Sequence, residues 1–240
     1  MLIIAILAGG SSAAAQVGHT SLPSAPGQAG TLEPLTQFDS TNPVHMVTDG
    51  RYAYVAAWLN GAPGVLILDI IDPAHPLEIA SFPFDNIDYS LLAATDGVLY
   101  VSKAGDGILV YDVSIPTNPV LASHYEPIEN MSVSQMTISD NHAYLADYSL
   151  GLIVLDISNP LQPVVVGLNN EEGISRLEVQ DHYAYALRTS ELIIYDISNP
   201  AQPILVGRYS HPSHSPTEAF TVSGSYLYIN GNCSGIASLN

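Results

Sequence analysis

Cations are scarce in this chain. Five basic residues (Arg51, Lys103, Arg176, Arg188, Arg208) stand against 23 acidic ones, for a formal charge of −18 over 240 residues. Nucleic-acid binding requires a basic patch, which five scattered cations cannot build. Attraction to an anionic membrane surface is excluded on the same ground. Cysteine is nearly absent: Cys233 stands alone, so no disulfide framework exists. Catalytic signatures are missing as well. There is no Gly-x-Ser-x-Gly, no His-Glu-x-x-His, no P-loop and no Gly-x-Gly-x-x-Gly after a strand. What this charge balance leaves open is a cationic partner, a divalent metal or plain solubility.

The chain is rich in copies of itself. Gly64–Ala80 (GVLILDIIDPAHPLEIA), Gly107–Ser123 (GILVYDVSIPTNPVLAS), Gly151–Gly167 (GLIVLDISNPLQPVVVG) and Glu191–Gly207 (ELIIYDISNPAQPILVG) repeat one pattern. The shared Asp69, Asp112, Asp156 and Asp196 are spaced by 43, 44 and 40 residues. Such a period denotes stacked supersecondary units. Each copy opens with a Val/Ile/Leu run too short for a helix and suited to a buried strand. An Asx–Pro turn follows the Asp. A second proline (Pro76, Pro119, Pro163, Pro203) then starts another apolar run, an outer strand whose edge tolerates a missing N–H.

Upstream of each copy a short strand, a tight turn bearing Asp, Gly or Asn, and a strand bearing Tyr54, Tyr100, Tyr144, Tyr185 or Tyr228 also recur. Each unit therefore holds four antiparallel strands, and four-stranded units at this period predict β-propeller blades. Four complete blades are expected at about 44–82, 88–125, 131–167 and 174–209, with a partial one at 217–240. The runs LIVLDISNP and LIIYDISNP resemble the LVIVD-repeat proteins over roughly residues 34–240. That resemblance implies a propeller that is secreted or surface-anchored, and little about activity, because propellers host unrelated functions.

The two ends read differently. Residues 2–15 look like the apolar and cleavage regions of a secretory signal, without a basic n-region, and are too short to span a bilayer. Residues 16–33 read as a flexible linker. The expected location is secreted, periplasmic or cell-surface, with no membrane insertion of the mature chain. Asn240 falls where the repeated Asp should stand, and Pro34–Phe38 reads as an outer strand without an upstream unit. Either that strand closes a five-bladed ring with the last unit, or the chain is a fragment of a larger one.

Several residues are candidates for chemistry. The repeated Asp carboxylate is expected to accept N–H groups of its own turn, with calcium binding as the alternative. The Pro-x-x-Pro pairs read as turn elements and the repeated Tyr residues as packing. Cys233, a lone thiol in a loop with no assigned base, reads as incidental. His211, His214 and Glu218 form a candidate divalent-metal site. Aligning units on the Tyr places His45, Leu91, Gln135, Arg176 and Ala219 at one inner-strand position, preceded by Val44, Ser90, Ser134, Ser175 and Glu218. In a propeller these crowd the channel mouth, which makes His45, Ser90, Gln135, Arg176 and Glu218 the candidate binding residues. Asp85, Asp88, Asp106, Glu126, Glu129, Asp147, Glu171 and Glu172 are expected on the same face, attracting a divalent cation or a basic partner. The expected function is a non-catalytic binding or scaffold module; the alternative is part of a propeller enzyme acting at the channel mouth.

Overall fold

The computed structural model describes residues 41–59, 61–84, 89–103, 107–125, 131–188, 191–210, 217–224, 226–231 and 235–239. The signal-like segment, the linker and Pro34–Phe38 lie outside them. Every regular element described is a strand. The first sheet runs β1 (Thr41–Thr48), β2 (Tyr52–Leu59), β3 (Ala62–Asp69) and β4 (Leu77–Pro83). The second is β5 (Tyr89–Thr95), β6 (Val98–Lys103), β7 (Gly107–Asp112) and β8 (Val120–Tyr125). The third holds β9 (Val133–Ser139), β10 (His142–Asp147), β11 (Gly151–Asp156) and β12 (Val164–Asn169). The fourth holds β13 (Ile174–Gln180), β14 (Tyr183–Arg188), β15 (Glu191–Asp196) and β16 (Ile204–Ser210). A last sheet has β17 (Thr217–Ser223), β18 (Tyr226–Gly231) and β19 (Gly235–Leu239). Strands neighbour one another in chain order in all five sheets. Four complete four-stranded sheets and one partial sheet are the number the repeats led one to expect. The chain forms two compact units, Met1–Leu99 with Asp112–Val120 and Tyr100–Tyr111 with Leu121–Asn240, whose boundary passes through the second sheet.

The repeated motif folds identically in four places. The carboxylates of Asp69, Asp112, Asp156 and Asp196 accept the N–H two residues on, from Ile71, Ser114, Ser158 and Ser198, at 2.8–2.9 Å. The intervening Ile70, Val113, Ile157 and Ile197 are buried. Their N–H groups donate to carbonyls of the first hairpin turn in the same sheet, Arg51, Gly97, Asn141 and His182, each at 2.8 Å. One dipeptide thus ties the turn after the third strand to the hairpin between the first and second. That hairpin requires a left-handed residue at its first turn position in every sheet. Gly50 (φ 98°), Asp96 (48°), Asp140 (51°), Asp181 (54°) and Gly224 (58°) occupy it, residue types that tolerate this region.

Packing between sheets uses the same elements. In the second unit, Leu152, Val154 and Tyr144 of the third sheet form one core with Leu177, Ala184, Ile193 and Tyr195 of the fourth. Leu187 and Leu192 pack on Phe220, Leu227 and Ile229 of the last sheet. Within the first unit, Ala53, Val55, Leu66, Leu68 and Ile70 form a separate cluster. A Cβ on Gly167 of β12 would meet the Pro200 carbonyl, so glycine there lets the next sheet's Asn–Pro turn lie on the outer strand. Tyr100 Oη donates to the Pro160 carbonyl at 2.8 Å and Ser123 Oγ to the Leu161 carbonyl at 3.0 Å. The repeated Tyr residues at 54, 100 and 144 are buried, as packing requires.

Candidate functional site

The inner strands carry a recurrent irregularity where the sequence places the candidate residues. In β1, Pro43 pairs with Ala57 and His45 with Ala56, leaving Val44 without a partner. The same slip leaves out Ser134 in β9, Ser175 in β13 and Glu218 in β17. A bulge therefore recurs at equivalent positions, immediately before His45, Gln135, Arg176 and Ala219. Three of the four bulged residues are polar (Ser134, Ser175 and Glu218), whereas in β1 the bulged residue is Val44. The side chains of Ser90 and Glu218 are not described.

Two of the bulge serines serve the frame. Ser134 Oγ lies 3.0 Å from the carbonyls of both Ala146 and Ile174, and Ser175 Oγ donates to the Leu187 carbonyl at 3.1 Å. Gln135 is also engaged: its Oε1 accepts the Leu177 N–H at 2.9 Å, linking β9 to β13. His45, in the first unit, is half-buried with its Nδ1 lacking a partner, and burial lowers its pKa. Arg176, in the second, is exposed and makes no ion pair with any described residue. The other described cations are committed: Arg51 to Asp69, Arg188 to Glu171, and Arg208 to Glu171 and Glu191.

Two members of the expected acidic face are spent internally. Asp147 is fully buried, and its carboxylate accepts the N–H groups of Ser132, Ser149 and Leu150 at 2.6, 2.8 and 2.9 Å. Glu171 sits between Arg188 (3.1 Å) and Arg208 (2.5 Å). Neither carboxylate offers free charge to a partner, which corrects their assignment to an attracting surface. Glu172 is exposed. Asp85, Asp88, Asp106, Glu126, Glu129, His211, His214 and Cys233 lie outside the described residues. Among the described residues no group of three or more His, Cys, Asp and Glu is placed to hold a metal.

The repeated Asp residues act as turn acceptors, as expected, in a partly exposed setting. Arg51 is the first cause of Asp69's lowered pKa, followed by the Ile71 N–H. The Ser114 and Ser198 hydroxyls, then the same residues' N–H groups, lower Asp112 and Asp196. For Asp156 the Ser158 N–H comes first.

Four-stranded antiparallel sheets sharing one turn and one inner-strand bulge define a repeat protein of the β-propeller class. The LVIVD repeat profile matches residues 46–83, 92–126, 132–170 and 174–211, more than half of the sequence. The chain belongs to the LVIVD repeat family. Among solved structures it is similar to the periplasmic gluconolactonase PpgL of Pseudomonas aeruginosa, at 13% identity and TM-score 0.72, over 99% of this chain and 77% of that one. A protein from Lactobacillus plantarum matches at 14% identity and TM-score 0.67, over 87% of this chain and 69% of that one. The computationally designed Ika8 protein matches at 14% and 0.61, over 80% of this chain; the chain spans 56% of Ika8's length. Likeness at these identities is one of fold. No curated protein matches the sequence.

Proposed function

We propose that this LVIVD-repeat propeller is an exported, non-catalytic module that binds a protein or small ligand through its inner strands. The observation that supports this reading is the contrast at one fixed position. Gln135 is bonded to backbone, whereas the equivalent Arg176 stands exposed and makes no ion pair with any described residue, in a chain with five basic residues. A constant frame displaying a side chain that varies from repeat to repeat suits recognition. Export rests on the signal-like residues 2–15. Fused ahead of a reporter that folds only outside the cytoplasm, residues 1–33 are expected to give activity.

The rival is hydrolysis, the activity that PpgL's name carries. Glucono-δ-lactone titrated against the purified chain in a pH-stat is expected to open at the buffer rate. Catalysed opening that disappears in Arg176→Ala would replace the binding reading with the enzymatic one.

A further inference from the structure

Two joints between successive inner strands of the second unit occupy equivalent positions in the repeat and differ in chemistry. Register makes the positions equivalent: Gln135 pairs with Ala146, Arg176 with Leu187 and Ala219 with Asn230, each one step past its bulge. Leu177 of β13 and Phe220 of β17 are therefore equivalent, and so are the side chains at 135 and 176 that precede them by one sheet.

At the first joint β9 supplies an acceptor. Gln135 Oε1 takes the Leu177 N–H, which points off the open side of β13. At the second joint Glu178 Oε2 takes the Val222 N–H at 2.8 Å and the Thr221 hydroxyl at 3.3 Å. The Val222 N–H thus points off β17 toward β13. Alternate residues of a strand share that direction, so the Phe220 N–H points to the same side. Its equivalent of Gln135 is Arg176, which carries five donors and no acceptor. Glu178 is already occupied two residues further along. Positional equivalence therefore sets a donor side chain at the second joint where the first has an acceptor, and no described side chain accepts the Phe220 N–H. Phe220 is buried at 9% exposure over Leu187, Leu192, Leu227 and Ile229, a setting in which an unmatched N–H is unfavourable.

We propose that the joint between the fourth and last sheets binds a carboxylate, held by the forked guanidinium of Arg176 and the N–H of Phe220. A guanidinium fork matches the two oxygens of a carboxylate, and charge-assisted bonds of this kind are strong. The chain's overall negative charge does not forbid it, because charges beyond about 10 Å are largely screened at 0.1 M salt. This deepens the binding reading by naming the ligand class.

The test uses the full chain and sodium acetate as probe. The Phe220 amide resonance of ¹⁵N-labelled protein should shift saturably with acetate and stay in place with equal chloride. Arg176→Gln restores the acceptor that Gln135 provides. It should abolish the acetate shift and raise Tm by roughly 2–4 °C, the effect of about one recovered hydrogen bond at this chain length. Arg176→Ala should also abolish the shift but leave Tm no higher. A second arm compares N-acetyl-Gly-Gly with its amide. Tighter binding of the free peptide acid than of acetate assigns the site to a chain terminus, and equal binding to a free organic acid. No saturable shift in either arm, or shifts that persist in both variants, would overturn the proposal. Lactone turnover would sink the non-catalytic reading while leaving these outcomes unchanged.

Discussion

Asp147 and Asp156 lie in one sheet, on adjacent strands, and do opposite amounts of work. Asp156 recurs in every complete repeat, is partly exposed and caps one N–H of its turn. Asp147 has no counterpart among the aligned repeats, is fully buried and gathers three N–H groups from two separate segments. The repeated residue specifies where each turn goes. The solitary one holds the β10–β11 loop onto the entry to β9. Recurrence therefore marks the frame, and does not rank residues by their energetic weight.

Replacing each residue separates these roles. Asp147→Ala removes a buried charge acceptor from three N–H groups and should cost about 3–5 kcal/mol in chemical denaturation. Asp147→Asn keeps one oxygen but turns an amide donor toward the third N–H, for a loss of about 1–3 kcal/mol. Asp156→Ala should lower the denaturation midpoint less than either, because water replaces the lost acceptor. Asp156→Asn should be nearly silent, since the bond to Ser158 uses one oxygen. Equal losses at 147 and 156 would erase the distinction.

The smallest effect is a pH dependence. His45 has its pKa lowered by burial, so its contribution to stability is complete above 6.5 and is lost as pH falls through the lower folded value. The four repeated Asp residues are also lowered, from 3.8, so theirs is lost only further down, on passing their folded values. Melting temperature against pH should therefore decline in two stages. His45→Leu should flatten the upper stage alone; an unaltered upper stage would remove His45 from the account.

The sheets were legible because their information is local. Hydrophobic runs, Asx–Pro turns and the 40–44-residue period fall within short windows. The bulge and its staples were not, because their partners lie one repeat away: Ser134 with Ile174, Gln135 with Leu177, Glu178 with Val222. The aligned position was visible in sequence, whereas which of its polar groups the frame consumes depends on the neighbouring sheet. Asp147 misled for a related reason. A carboxylate in a variable loop resembles a surface charge until three backbone donors surround it.

The outer strands carry one more consequence, and it concerns colloidal behaviour. Each begins just after a proline with an exposed aliphatic residue: Leu77, Val120, Val164 and Ile204, all more than half exposed. Proline removes a ladder donor at that edge, but the greasy rim persists in all four complete sheets. Mutual repulsion between molecules of formal charge −18 is expected to keep such rims apart in solution. Near pH 4.3, where the charges of the sequence balance, that repulsion vanishes. Acidification should thus cloud a concentrated solution of native protein before it unfolds it.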